Sequence, residues 1–354
     1  MSGSTATATT GTDKTSESAA GDSPGAAYWC TPAKTTLFAG RQIEAPRPSA
    51  ESAAGDFQPD YVGRFAPSPT GALHLGSLVA ALGSFLDARK AGGRWLLRME
   101  DLDTTRVIPG CSDEMLRTLE AFGLHWDGAV EFQSRRTALY AESLKTLRRA
   151  GLTFECSCSR RELADSGETG YPGTCRNAPA RRGPTATRFR VNTDEVVSWM
   201  DRIQGNCQYE LSTLGDPVIR RRDGVFAYQL AVVVDDAAQD VSDIIRGADL
   251  LESTAWQIEL QRALKLPTPH YGHLPLIVEE TEGKLAKSRR SLALDPTRAS
   301  NQLASALGLL NHAPPAELQC ASPDTLLAWA IAHWNLDRFQ NVKKIVVFRP
   351  MSHV

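Results

Sequence analysis

Between Tyr61 and Met99 the chain runs through an apolar stretch, a rigid loop, a periodic segment and a second apolar stretch, an order that few folds accept. Tyr61-Val62-Gly63-Arg64-Phe65 predicts a short strand. In the loop APSPTGALHLGS, Pro67 and Pro69 stiffen the approach, while Gly71 and Gly76 let backbone come close to a ligand. A helix is predicted from about Ser77 to Lys90, because Leu78, Ala81, Leu82, Phe85 and Leu86 recur with helical spacing. Gly92-Gly93 stops it, and Trp95–Met99 predicts a buried strand. Strand, loop, helix and strand at this spacing form a βαβ unit, which requires a parallel sheet.

The same reading extends along the chain. Helices are predicted near 112–123 and 134–150, a buried strand at Phe226–Val234, a helix near 249–265, a strand at Leu274–Val278 and a small helical segment from about 296 to 337. Residues 154–222 differ in character, with cysteines, Gly/Pro and Arg-rich spots, and read as an insertion between two halves of one α/β domain, 59–153 and 223–295. A C-terminal segment, 296–354, completes the division. No role follows for its tail, QNVKKIVVFRPMSHV. Residues 1–58 are rich in Ser, Thr, Ala and Gly and bury too little to offset ordering entropy, so a disordered tail is expected.

Several function classes are excluded at this level. No run of about 18 apolar residues predicts a membrane span. The N-terminus lacks the basic and apolar regions of a secretory signal, and Asp13, Glu17 and Asp22 weigh against a transit peptide. Seven unevenly spread cysteines do not form a disulfide framework, so a reducing cytoplasm is expected. The net charge of −2 means that nucleic-acid contact must come from local basic patches.

A loop entering a helix N-terminus presents free N–H groups and partial positive charge, which suits a phosphate. His74 can add a ring N–H where charge grows in a transition state. A Gly-flanked basic loop, by itself an ordinary solvated turn, stands about 210 residues downstream, Gly283-Lys284-Leu285-Ala286-Lys287-Ser288, followed by Arg289 and Arg290. Together HLGS and KLAKS resemble the HIGH and KMSKS signatures of class I aminoacyl-tRNA synthetases. Ser77 replaces the last His, and Ala286 replaces the first Ser but leaves both lysines. RFAPSPTG and RMEDLDTTR are typical of the glutamyl/glutaminyl branch, and the chain resembles a truncated paralogue of that branch more than glutamyl-tRNA synthetase itself.

That resemblance implies an α/β fold: a Rossmann-type HUP nucleotide-binding domain with a parallel sheet, an inserted zinc-binding, acceptor-type domain and a small C-terminal helical segment. It implies ATP with Mg2+ as substrate, met by His74, Gly76, Ser77, Lys284 and Lys287. It places L-glutamate against Arg64, Phe65, Ala66, Pro67, Ser68, Glu100, Tyr228 and Arg246; the arginines can grip a carboxylate and Glu100 can hold the α-ammonium. Cys156-Ser157-Cys158 and a third cysteine, Cys175, form a plausible zinc knuckle, and the family pattern adds Tyr171 as a fourth ligand to one structural Zn2+. Cys30, Cys111, Cys207 and Cys320 fall outside it.

The implied activity is tRNA-independent formation of glutamyl-adenylate, then transfer of glutamate to the queuosine base at the first anticodon position of tRNA(Asp). Only 66 residues follow Ser288, which is expected to leave no room for an anticodon-binding domain. Arg181, Arg182, Arg220, Arg221, Arg222, Arg289 and Arg290 are the candidate contacts to the anticodon stem-loop. A monomer without membrane contact is expected. The alternatives are a glutamyl-tRNA synthetase charging the 3′ end, and a non-catalytic synthetase-like protein that binds RNA or an amino acid. Intact His74, Glu100, Lys284 and Lys287 speak against the last.

Overall fold

The computed structural model describes residues 61–165, 170–178, 181–280, 293–339 and 344–348. The predicted tail of residues 1–58 and the GKLAKSRR loop, with Lys284, Lys287, Arg289 and Arg290, lie outside them.

Strand β1 (Val62–Phe65) is buried throughout. Helix α1 (Leu75–Lys90) begins two residues before the predicted start, because the His74 side chain caps it: Nδ1 accepts the Ser77 N–H at 3.3 Å. Its end is decided by two glycines. Gly92 takes a left-handed φ of 69°, and a Cβ on Gly93 would lie 2.2 Å from the Tyr61 carbonyl oxygen, so only glycine brings the chain back beside β1. Strand β2 (Arg94–Met99) then pairs parallel with β1, Phe65 opposite Leu97. Helix α2 (Cys111–Ala121), strand β3 (Glu131–Phe132), parallel to β2, and helix α3 (Thr137–Arg149) complete this half. A short 3-10 turn at Gln133–Arg135 occupies the start of the predicted 134–150 helix.

Antiparallel structure follows. Strands β4 (Thr153–Cys156), β5 (Ala186–Phe189) and β8 (Val218–Arg220) form one sheet in the order β4-β5-β8. Within this region lie a short helix α4 (Arg160–Asp165), a hairpin of β6 (Val196–Asp201) and β7 (Gly205–Glu210), and a turn of helix α5 (Leu211–Leu214).

The parallel architecture then resumes, with one correction. Residues 226–234 are not a strand: helix α6 spans Tyr228–Ala238. An apolar run rich in Val reads equally as strand or buried helix, and here most of it forms the first part of an 11-residue helix that continues through Asp235 and Asp236. All residues from Leu230 to Asp236 are buried, as a helix enclosed on every side requires. Strand β9 (Asp243–Gly247), helix α7 (Leu251–Leu264) and strand β10 (His270–Leu274), parallel to β9, follow. The predicted strand at 274–278 is divided at Pro275 between β10 and β11 (Leu276–Glu280). Helices α8 (Ala299–Leu309) and α9 (Pro323–His333) form the helical segment. The unassigned tail contributes β12 (Lys344–Phe348), parallel to β11.

Strand β9 runs beside β1, where the Ser242 N–H donates to the Val62 carbonyl at 3.0 Å. The parallel strands therefore run β3-β2-β1-β9-β10, and the direction of winding reverses between β1 and β9. Crevices for ligands open at the carboxyl ends of strands at such a point. Helices cover both faces. Trp95 and Leu97 pack with α1, α8 and α9, whereas Leu96 packs with α3, α6 and α7. No helix among the described residues is long and apolar enough to cross a membrane.

Candidate active site

A cavity of about 650 Å3 lies at the carboxyl ends of β1, β2, β9 and β10. Ten sequence-predicted residues line it: Arg64, Phe65, Ala66, Ser68, His74, Gly76, Ser77, Glu100, Tyr228 and Arg246. Pro67 does not; it lines an adjoining cavity of about 320 Å3 with Ser68, His74 and Ser77. Its carbonyl instead accepts the Glu100 N–H at 2.9 Å, which fastens the loop after β1 to the end of β2.

The His74 cap has a chemical consequence. Because Nδ1 accepts from Ser77, the ring proton resides on Nε2. Gly76 makes room for this ring, since a Cβ there would sit 3.1 Å from the His74 imidazole. After the undescribed residues 281–292, the chain returns at Ala293, which bridges to His74, while Leu294 N–H donates to the Leu73 carbonyl at 2.8 Å. Leu276, before that segment, lines the cavity. The described chain on either side of residues 281–292 therefore reaches the site, at Leu276 and at Ala293.

The two arginines differ in electrostatic state. Arg64 is paired with buried Asp236 at 3.1 Å. Asp236 also accepts from Arg98 Nη2 at 2.8 Å, and although burial raises it, the two guanidiniums hold its carboxyl below the usual range. Arg98 is fully buried and lies 4.0 Å from Glu100. Behind it Asp235 pairs with Arg136 at 2.7 Å. Burial pushes Glu100 up to about 7, against the pull of Arg98 and Arg64.

Arg246 is only 5% exposed, yet among the described residues no carboxylate lies within ion-pair distance of it. Neutral acceptors hold it: His273 Nε2 at 3.0 Å from Nε, Tyr228 Oη at 3.3 Å from Nη1, and the Thr254 hydroxyl and Leu250 carbonyl at 2.8 and 3.4 Å from Nη2. A buried cation without a counter-charge is costly, and an anion in the cavity beside it would offset that cost. Sequence reading missed Arg98, Asp235, Asp236, Thr254 and His273. The last two touch Arg246, and the others support Arg64 and Glu100. Arg98, a charge inside the Trp95–Met99 run, and Asp235 and Asp236, at the end of FAYQLAVVV, left the available signal.

A second cluster lies in the antiparallel region. Cys156, Cys158 and Cys175 are buried or nearly so, and their sulfurs all lie within 4.8 Å of one another. The Cys158–Cys175 sulfur pair is 3.4 Å apart. A tetrahedral zinc site with bonds of about 2.3 Å has sulfur–sulfur edges of roughly 3.8 Å, so the three thiols fit the ion. Tyr171 closes the fourth side: its phenol accepts the Cys175 N–H at 2.8 Å and interacts with the Cys156 and Cys175 thiols.

The basic candidates are largely engaged within the chain. Arg221 pairs with Asp103 and Asp223, Arg222 donates to the Cys158 carbonyl, and Arg220 donates to the Gly224 carbonyl. Arg181 pairs with Glu162 at the surface, and Arg182 is exposed.

Residues 61–307 match the family of tRNA synthetases class I (E and Q), catalytic domain. Curated relatives include the glutamyl-Q tRNA(Asp) synthetase of Pseudomonas paraeruginosa, 52% identical over 279 residues, covering 78% of this chain and 94% of that one. The glutamyl-Q tRNA(Asp) synthetase of Dechloromonas aromatica is 51% identical over 286 residues, covering 78% and 95%. Among solved structures, a glutamate tRNA ligase from Elizabethkingia meningosepticum in complex with its amino acid superposes with a TM-score of 0.66 at 24% identity, over 80% of this chain and 66% of that one. The glutamate-tRNA synthetase of Elizabethkingia anophelis gives 0.67 at 24%, over 82% and 68%. At that identity the likeness concerns the fold.

Proposed function

Because this chain belongs to the class I tRNA synthetases of the E and Q group, and so is a ligase of the aminoacyl-tRNA synthetase type, we propose that it activates L-glutamate with ATP and transfers it to the queuosine base in the anticodon of tRNA(Asp). In the first step a glutamate α-carboxylate oxygen attacks the ATP α-phosphorus and pyrophosphate leaves. Positioning and charge stabilisation supply the rate, with no protein nucleophile. His74 Nε2–H and the α1 N-terminus meet the phosphates, and Lys284 and Lys287 offset the charge on the pentavalent phosphorus and the leaving pyrophosphate, with Mg2+. Glu100, once ionised, holds the α-ammonium. Arg246 and Tyr228, with Arg64, hold carboxylate, while the backbone and side chains of Phe65, Ala66 and Ser68 shape the pocket wall and Pro67 fastens the loop behind it to Glu100.

In the second step a hydroxyl of the queuosine cyclopentenediol attacks the adenylate carbonyl carbon, and AMP leaves. The arginine candidates at 181, 182, 220–222, 289 and 290 would hold the stem-loop through salt-sensitive phosphate contacts. Cys156, Cys158, Tyr171 and Cys175 hold one structural zinc, which fastens the antiparallel region and takes no part in the chemistry. The enzyme acts as a cytoplasmic monomer. The observation that carries this reading is Arg246, a buried cation with no carboxylate partner among the described residues, in a cavity that also holds the half-buried Glu100. Such a pair complements an amino acid with an acidic side chain. The curated relatives named for glutamyl-Q tRNA(Asp) support the choice of acceptor.

The test is incubation with ATP, labelled glutamate and tRNA(Asp), with and without queuosine, and with the 3′-terminal adenosine removed. Label is expected only on queuosine-containing tRNA, and loss of the terminal adenosine leaves it in place. Equal labelling without queuosine, or none after 3′ trimming, would establish 3′-end charging instead.

A further inference from the structure

Arg246 owes its orientation to a chain of two groups that begins outside the parallel sheet. Asp201 closes β6, at the turn of the antiparallel hairpin. Its Oδ1 accepts three backbone N–H groups, from Ile203 at 3.0 Å, Gln204 at 2.8 Å and His273 at 3.0 Å. Its Oδ2 meets His273 Nδ1 at 2.5 Å. Both side chains are buried, at 2% and 0% exposure. Hydrogen bonds from His273 hold the Asp201 carboxyl below its usual range despite burial, so it is ionised and can only accept. The His273 proton must then sit on Nδ1, which leaves Nε2 as an acceptor for Arg246 Nε. Burial, with the Arg246 cation beside the ring, pushes His273 down to about 4, so it stays neutral in this role. Two further bonds pin the hairpin to β10: Gln204 Nε2 donates to the His273 carbonyl at 2.7 Å, and Arg202 N–H to the Tyr271 carbonyl at 2.8 Å.

We propose that Asp201 and His273 are positioning residues of the amino-acid pocket, which fix the plane of the Arg246 guanidinium so that one Nη1 hydrogen and the Tyr228 hydroxyl face the cavity. The inserted hairpin thereby sets glutamate recognition in a sheet to which it does not belong. This rests on the reading of Arg246 as a carboxylate partner. The remaining Arg246 hydrogens are committed to His273, Tyr228, Thr254 and Leu250, so the guanidinium has no second way to present itself without breaking buried bonds.

Asp201→Asn discriminates sharply. Its Oδ1 can still accept the three backbone groups, so the hairpin turn is retained. Its amide N–H, however, faces Nδ1 and drives the proton to Nε2, which then confronts the Arg246 Nε–H donor. In glutamate-dependent ATP–pyrophosphate exchange by the full chain, Asp201→Asn is expected to raise the glutamate KM about ten- to hundredfold while leaving the ATP KM within about twofold. His273→Leu should do the same. His273→Gln, whose amide can donate to Asp201 and accept from Arg246, should recover most of the loss, and it decides the matter if Asp201→Asn does not fold. The proposal is overturned by an unchanged glutamate KM in Asp201→Asn and His273→Leu. It is also overturned by a His273→Gln no better than His273→Leu, or by parallel increases in both KM values with a lowered melting temperature, the mark of a purely structural role. Arg246→Ala in the same assay separates the two readings. If it leaves the glutamate KM unchanged, the pocket assignment itself fails; if it raises KM while Asp201→Asn does not, only the positioning role fails.

Discussion

Glu100 is the residue on which pH acts most directly. Its carboxyl, ordinarily ionised above pH 4.5, is pushed up to about 7 by burial. Two consequences have opposite sign. Binding an ammonium needs the ionised form, so the glutamate KM in pyrophosphate exchange is expected to be flat above about pH 7 and to rise up to about tenfold per unit below it. Stability runs the other way. A raised folded-state value means that the native state is favoured below the ordinary carboxylate range, and that contribution is lost as pH rises through about 7. Glu100→Gln should therefore be more stable than the parent at pH 8.5, by on the order of 3 kcal/mol and seen as a higher melting temperature, with the difference vanishing towards pH 4. The same variant should lose glutamate activation. Thermal melts that show no pH-dependent gain would mean that Glu100 is ionised in the free enzyme.

Elements with ordinary cores surround the site, and the exception is the cysteine cluster. Strand β4 ends at Cys156, and the segments holding Cys158, Tyr171 and Cys175 contribute little apolar burial beyond Phe154 and Leu163. A metal is the natural means of closing so small a core, because its binding energy is folding energy. Elemental analysis of protein purified without added metal is expected to find about one zinc per chain. Cys175→Ser should lose it and lower the melting temperature, whereas the pocket-lining residues of β1 and β9 should keep glutamate binding measurable. Full zinc occupancy in Cys175→Ser would remove the cluster from consideration as the ligand set.

Across the whole molecule, the β3-β2-β1-β9-β10 order places the His74 loop at one cavity with Leu276, and Ala293, beyond the undescribed residues 281–292, bridges to His74. If His74 and Lys287 both act on the phosphates, His74→Ala and Lys287→Ala should each cut glutamate-dependent pyrophosphate exchange by about a hundredfold, the scale of losing one transition-state donor. Near-normal exchange in either variant rules that residue out of phosphate chemistry.

What the sequence determined by itself were features written within a few residues of one another. The prolines and glycines around His74, the helical spacing of Leu78 to Leu86, the Gly92-Gly93 stop and the Cys-x-Cys pair are local patterns, and the forces behind them act over one or two turns of chain. Arg64 and Glu100 were legible because they lie at the ends of such elements, whereas Tyr228 and Arg246 were reached only through the family resemblance. Tertiary structure alone decided the rest. FAYQLAVVV satisfies the periodicity of neither structure uniquely, and it became a helix because it is enclosed between α3 and α7. Asp236 beneath Arg64, and Asp201 behind His273 and Arg246, are 172, 72 and 27 residues from the groups they or their partners touch. A buried charge must find its partner in space, and nothing in the local sequence records which distant segment supplies it.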